Sequence, residues 1–120
     1  FLGEKHNVQD YLSCSDAFVL SSSYEGMPIT LIEALSCGCV PISTPVSGVV
    51  DLVKSGENGF VSKDFSRDSF VAVLNEFMLR KNRIDRNSLV KLFDDKLSIE
   101  ACANSYYKFY DQCLQSKKER

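Results

Sequence analysis

Glu25 and Glu33 flank the run "GMPITLI", and the intervening residues are mostly apolar with a proline at Pro28. Proline suits the first position of a helix. A helix opening there leaves Glu25 in the preceding loop and puts Glu33 in the second turn. The amides of Ile29, Thr30 and Leu31 then lack intrahelical acceptors, and their partial positive charge makes an anion site that needs no basic side chain. Gly26 has no side chain to keep a ligand away from the backbone. Helical spacing sets Glu33 on the face of Ile29 and Thr30, opposite Leu31, Ala34 and Leu35. A carboxylate one turn beyond a bound phosphate can accept hydrogen bonds from both hydroxyls of a ribose, and Glu25 can hold hydroxyls on the other side of the phosphates. A sugar, a diphosphate and a nucleoside in line satisfy all of these features. The plainer reading is that both glutamates are solvated and that Thr30 and Ser22 are ordinary first-turn and strand-end residues; spacing alone leaves both readings open.

The elements that must position these residues alternate in type. "DAFVLSSS" predicts a strand at Ala17 to Leu20 and "CVPISTP" another at about Val40 to Ser43, each a short apolar run bounded by turn formers, as buried parallel strands are. Between them Leu31, Ala34, Leu35 and Gly38 recur at spacings of three and four, one face of a helix that Gly38 can end in a left-handed conformation. Strand, helix, strand is a crossover unit, and it implies an α/β fold with a parallel sheet. "SGVVDLVKSG" predicts a short helix at about Gly48 to Lys54, after which "ENG" turns the chain at Asn58 and Gly59 into a strand at Phe60 to Ser62. "FLG" reads as the stub of an earlier strand and "NVQDYLSC" as its helix. The expected organisation is one partial domain, with an α/β part over residues 1–63 and a helical part over residues 64–120.

In the helical part Ser66 is a candidate cap, and Phe65 before it is spaced to pack on Phe70 as a hydrophobic staple. Phe70, Val73, Leu74 and Phe77 form an apolar stripe. A further helix ends near Phe93, and the last begins after Ser98 with Ile99, Cys102, Ala103, Tyr106, Phe109, Tyr110 and Cys113 on one broad face.

Composition excludes several classes. The chain has 120 residues, 44% hydrophobic and 25% charged, which is ordinary for a globular domain rather than a disordered segment. A net charge of −2 offers no general attraction for nucleic acid, and Lys117 to Arg120 reads as a solvated tail. Five cysteines without a C-x-x-C pair imply neither a disulfide framework nor a zinc site, and fit a reduced, cytoplasmic setting. The single histidine, His6, leaves a first-row metal without its commonest ligand. No apolar run is long enough to span a bilayer and no signal-peptide pattern opens the chain. The first residue is Phe1 rather than Met, so the chain is expected to be part of a longer protein.

The run from Glu25 to Leu35, followed by Gly38, Val40 and Pro41, resembles the E-x7-E segment of retaining glycosyltransferases of the GT-B fold, glycosyltransferase family 4 in particular. "FLG", "VQDYL", "SDAFVLSS", "VSGVVDLV" and "ENGF" follow in that family's order, so the resemblance covers about Phe1 to Ser62. It implies a partial Rossmann-like parallel sheet flanked by helices, the later half of a GT-B C-terminal domain. It implies that Glu25 is catalytic, contacting the donor sugar near the reacting carbon. Gly26, Met27, Ile29, Thr30 and Leu31 would hold the donor phosphates through their amides, and Glu33 the ribose. The donor is a nucleotide-diphosphate sugar; no cofactor and no metal are implied. The family's diphosphate-binding Arg and Lys come from earlier strands, and its acceptor domain from the N-terminal half of the chain; both are expected to precede Phe1. Asp51 stands where relatives often have Glu.

The expectation is therefore the donor-binding part of a retaining transferase that serves a glycan, lipid or small-molecule acceptor. The isolated chain should be inactive and should self-associate through surfaces its missing neighbours would cover. The full-length protein would be cytoplasmic, or peripheral at the inner face of a membrane. The alternatives are a non-catalytic nucleotide-binding or regulatory α/β module, and another GT-B enzyme such as a sugar epimerase or phosphorylase.

Overall fold

The structure, a computed structural model, describes residues 1–118. The chain runs α1 (Val8–Ser13), β1 (Ala17–Leu20), α2 (Ile29–Ser36), β2 (Val40–Ser43), α3 (Ser47–Val50), β3 (Phe60–Val61), α4 (Arg67–Arg80), a 3-10 turn (Lys81–Arg83), α5 (Arg86–Lys96) and α6 (Ile99–Lys118). The three strands form one parallel sheet in the order β1-β2-β3. Ala17 pairs with Val40 through to Leu20 with Ser43, and Ile42 and Ser43 pair with Phe60 and Val61.

Both predicted crossover strands occupy their expected residues. β2 is central and buried at all four positions, which is why it reads as an unbroken apolar run rather than an alternating one. β1 is an edge strand with Val19 half exposed. α2 turns Leu31, Ala34 and Leu35, each fully buried, toward the sheet and packs against α1, α5 and β2. It ends at Cys37, and Gly38 follows at φ +68°, the left-handed conformation expected of it.

The core does not stop at the α/β part. Val73 and Phe77 of α4, Ile84 just after the 3-10 turn and Leu89 of α5 join Leu31, Ile42 and Phe60 in one cluster. Phe60 and Phe77 meet edge to face, with ring centroids 5.9 Å apart. Ser66 caps α4 by accepting a hydrogen bond from the Ser69 amide at 3.2 Å. Its hydroxyl and amide both donate to Asp64, and these bonds hold the Asp64 carboxyl below the usual carboxylate value.

Several boundaries differ from the sequence reading. "FLG" forms no strand: nothing among the described residues pairs with it, and an isolated strand cannot satisfy its backbone groups. Pro28 is the N-cap of α2, not its first residue, with an extended ψ of 114° that continues the loop. α3 closes at Val50 instead of running to Lys54, because Asn58 takes the Lys54 amide and the Leu52 carbonyl and folds residues 51–58 into turns. The left-handed residue of that turn is Gly56, at φ +82°, and neither Asn58 nor Gly59. β3 stops at Val61, and α5 continues to Lys96, three residues beyond Phe93.

α6 is one 20-residue helix, and its aromatic face is bare: Tyr106, Phe109 and Tyr110 are each about 60% exposed. The tail from Lys117 lies outside the described residues beyond the backbone of Lys118. All five cysteines are free thiols. Cys39 is fully buried, and burial pushes its thiol pKa up. Among the described residues no helix is long and apolar enough to cross a membrane.

Candidate functional site

Open α/β sheets bind ligands beyond the carboxyl ends of their strands, and all three strands contribute there. The loop after β1 supplies Ser23, Tyr24 and Glu25, the segment after β2 supplies Pro45, Val46 and Ser47, and the exit from β3 supplies Phe65; together they line an open cleft of about 360 Å³. A second hollow, of about 430 Å³, opens at the amino ends of β1 and β2 and is lined by Asp16, Lys81 and Arg86. Its charges are already paired: Lys81 Nζ donates to Asp16 at 3.0 Å, while Arg86 donates to the carbonyls of Gly38 and Ser15. That end of the sheet is a structural tie between α5, α2 and β1.

Glu25 is half buried in the wall of the first cleft. Ser22 Oγ donates to its Oε1 at 2.8 Å, and Ser22 is itself held because Thr44 Oγ1, at the end of β2, donates to the Ser22 carbonyl. One residue beyond Glu25, Gly26 accepts a 2.9 Å hydrogen bond from the Gly48 amide. A side chain on Gly26 would point into open space, so the backbone there is accessible to a ligand. Met27 and Ile29, on the way into α2, are exposed at 45% and 71%.

The first turn of α2 departs from expectation in one respect. The Leu31 amide is not free: it donates to the Pro28 carbonyl at 3.1 Å, closing a tight first turn. Among the described residues Ile29 and Thr30 donate no hydrogen bond outside the helix, the Pro28 cap supplies no side-chain acceptor, and both residues are exposed. The anion site therefore reduces to two amides at the helix end. Glu33, half buried, lies one turn further along the side that Ile29 and Thr30 share, away from the buried Leu31, Ala34 and Leu35.

Sequence reasoning missed four residues of this neighbourhood. Thr44 and Gly48 matter only because β2 runs beside β1, and nothing local marks them. Ser22 stands where an ordinary strand-end residue would, and only the fold turns its hydroxyl to Glu25. Phe65 is spaced as a staple for Phe70; it is 55% exposed and lines the cleft with Glu25.

A parallel sheet flanked by helices, with a cleft at the carboxyl ends of its strands, defines a Rossmann-like α/β domain. The chain belongs to the glycosyl transferases group 1 family, whose model matches residues 1–91. Among curated relatives it is 34% identical over 96 residues to the UDP-Gal:alpha-D-GlcNAc-diphosphoundecaprenol alpha-1,3-galactosyltransferase of Escherichia coli, covering 80% of this chain and 21% of that protein. It is also 34% identical over 89 residues to the lipopolysaccharide 1,6-galactosyltransferase of Escherichia coli K12, covering 73% of this chain and 25% of the relative. Among solved structures the sucrose-phosphate synthase of Thermosynechococcus elongatus superposes with a TM-score of 0.72 at 21% identity, over 88% of this chain and 27% of the other. The apo lipopolysaccharide outer core galactosyltransferase WaaB gives 0.65 at 29% identity, over 85% of this chain and 28% of the other. The chain thus spans a quarter or so of the length of the proteins it resembles.

Proposed function

We propose that the chain is the donor-binding part of a glycosyltransferase that moves a sugar from a nucleotide-diphosphate sugar to an acceptor with retention of configuration. The observation that carries this reading is the placement of Glu25 in the wall of the strand-end cleft, on the loop that leads into α2, a helix whose Ile29 and Thr30 amides have no acceptor among the described residues and whose Glu33 lies one turn further along. The diphosphate sits against those amides and the backbone of Gly26 and Met27, with Leu31 contributing through the turn it closes. The ribose hydroxyls donate to Glu33. The sugar lies over Glu25.

In the transfer the acceptor hydroxyl forms a bond to the anomeric carbon as the bond from that carbon to the phosphate oxygen breaks, and its proton passes to the departing diphosphate. Negative charge grows on the departing diphosphate, where preorganised amides are worth most. Positive charge grows at the anomeric carbon, where the Glu25 carboxylate opposes it. No metal or cofactor is required in this scheme, the phosphate charge being met by the helix end and by basic side chains elsewhere in the full-length protein. That protein carries an acceptor domain and works in the cytoplasm, at the inner face of the membrane where its acceptor is lipid-linked. The isolated chain is inactive and self-associates. The E-x7-E segment supports an assignment to glycosyltransferase family 4.

Full-length enzyme assayed against UDP-, GDP- and ADP-linked sugars tests the reading. UDP-galactose comes first because it is the donor named for the relative at 34% identity. Transfer with the donor's anomeric configuration preserved, read by NMR of the product, is the expected result, and it persists in EDTA. An inverted product overturns retention. Activity lost in EDTA and restored by magnesium overturns the metal-free scheme.

A further inference from the structure

Glu25 is the residue on which the proposed chemistry turns, yet it sits in a loop, and a loop alone does not hold a carboxylate to the accuracy that transition-state stabilisation needs. Two contacts from the neighbouring strand's exit tie that loop down. At the first, Thr44, which is 4% exposed, donates to the Ser22 carbonyl, and the Ser22 hydroxyl donates to Glu25 Oε1 at 2.8 Å. At the second, the Gly48 amide donates to Gly26 at 2.9 Å, with the two backbones so close that a Cβ on Gly48 would stand 2.2 Å from the Gly26 carbonyl oxygen and 2.7 Å from Met27 Cα. Both obstructing atoms are backbone, so they cannot swing aside as a side-chain tip could. Only glycine fits.

We propose that Ser22 and Gly48 are positioning residues for Glu25: one orients its carboxylate and the other sets the height of the loop that carries it. Ser22 presents its proton to one carboxylate oxygen, leaving the other lone pairs for the donor sugar. Gly48 fixes Gly26 and Met27, and through them the distance between Glu25 and the first turn of α2. Neither residue touches the donor in this arrangement. The inference rests on the role assigned to Glu25 above.

The test uses full-length enzyme and the nucleotide sugar that supports turnover, UDP-galactose first. Ser22→Ala should lower kcat by about ten- to a hundredfold, the range for one hydrogen bond to a charged group. Affinity for the nucleoside diphosphate, which Glu33 governs, should stay within about twofold, and Ser22→Thr, which keeps the hydroxyl, should recover most of the activity. Gly48→Ala should lower kcat and weaken nucleoside diphosphate binding together, because the backbone it displaces, Gly26 and Met27, also borders the diphosphate; a folded Gly48→Ala enzyme with wild-type kcat overturns the role of Gly48. In a Glu25→Ala background Ser22→Ala should cost nothing further, because its only route to the reaction is gone. Independent of turnover, calorimetry should show Ser22→Ala narrowing the gap between nucleotide-sugar and nucleoside diphosphate affinity. Wild-type kcat in Ser22→Ala while Glu25→Ala is impaired overturns the positioning role alone; so does an equal Ser22→Ala loss with and without Glu25. Wild-type kcat in Glu25→Ala itself overturns the reading of Glu25.

Discussion

In the proposed arrangement Glu25 and Glu33 face different parts of the donor and should fail differently when removed. There Glu33 meets the ribose in the ground state and the transition state alike, so Glu33→Ala in the full-length enzyme should weaken nucleoside diphosphate binding by about 1.5–3 kcal/mol, the worth of hydrogen bonds to a charged group. Calorimetry that finds unchanged affinity removes Glu33 from the site. Glu25 answers charge that appears only as the glycosidic bond breaks. Glu25→Gln keeps the Ser22 hydrogen bond and the shape of the side chain while losing the charge, so kcat should fall while nucleoside diphosphate affinity holds. Equal turnover in the two enzymes would contradict the assignment. The same scale explains the quiet of Cys39: buried, with its thiol pKa raised, it should resist alkylation under conditions that label the exposed Cys14 within minutes, as mass spectrometry of the modified chain would report.

The helix that carries Glu33 is held at both ends by other elements. At its amino end Pro28 and the Gly48 contact set the entry; at its carboxyl end Gly38, in the left-handed conformation, offers its carbonyl to Arg86 Nε at 2.9 Å. A Cβ on Gly38 would lie 3.2 Å from the Arg86 carbonyl, so Gly38→Ala combines left-handed strain with crowding against α5. A loss of about 1–2 kcal/mol in unfolding free energy is expected from the conformational term, with donor affinity little changed, and denaturant titration measures it. Arg86 and Lys81 also flank Asp16 at the start of β1. The Lys81 hydrogen bond and charge hold the Asp16 carboxyl below its ordinary value of 3.8. A carboxyl depressed in the folded state adds stability that is fully present above its unfolded value and fades as pH falls through the folded one. The stability difference between wild type and Asp16→Asn should therefore be level at neutral pH, shrink below pH 3.8 and vanish in stronger acid. A difference that widens on acidification would refute the pairing.

At the scale of the molecule one element stands apart. A compact chain of this length has a radius of gyration of about 14 Å, whereas the observed value is 17.0 Å, with a long axis of 56 Å. The excess is α6, about 30 Å long by its residue count, which packs only its first turns against α5. Along it Tyr106, Phe109 and Tyr110 stack on one another rather than on the core. The edge of β1 adds a row of unpaired backbone groups. The 120-residue chain is accordingly expected to self-associate, and a version ending at Ser98 to unfold at nearly the same temperature while associating less. Sedimentation velocity and thermal melts of the two chains decide this. A stable monomer at high micromolar concentration, or a melting point that collapses on truncation, would show that α6 is covered within the chain.

The crossover β1, α2, β2 was legible in the residues because its signals are local. Ala17 to Leu20 and Val40 to Ser43 are apolar runs between turn formers, Leu31, Ala34 and Leu35 recur at helical spacing, and Gly38 is the one residue type that ends such a helix cheaply. Ser66 marked the start of α4 for the same reason, and Glu25 and Glu33 stood out through their spacing around Pro28. Tertiary structure decided what depends on residues distant in the chain. "FLG" has the composition of a strand and none of the pairing, and the core recruits α4 and α5, so a division at residue 63 is not a division of the packing. The ties on Glu25 run from residues 44 and 48 to residues 22 and 26. No pattern along the chain announces a hydroxyl that must meet a carbonyl 22 positions away, or a glycine whose only purpose is to let another backbone pass. Parallel pairing of β1 with β2 brings their carboxyl ends side by side, and only that register turns four unremarkable residues into the support of a site.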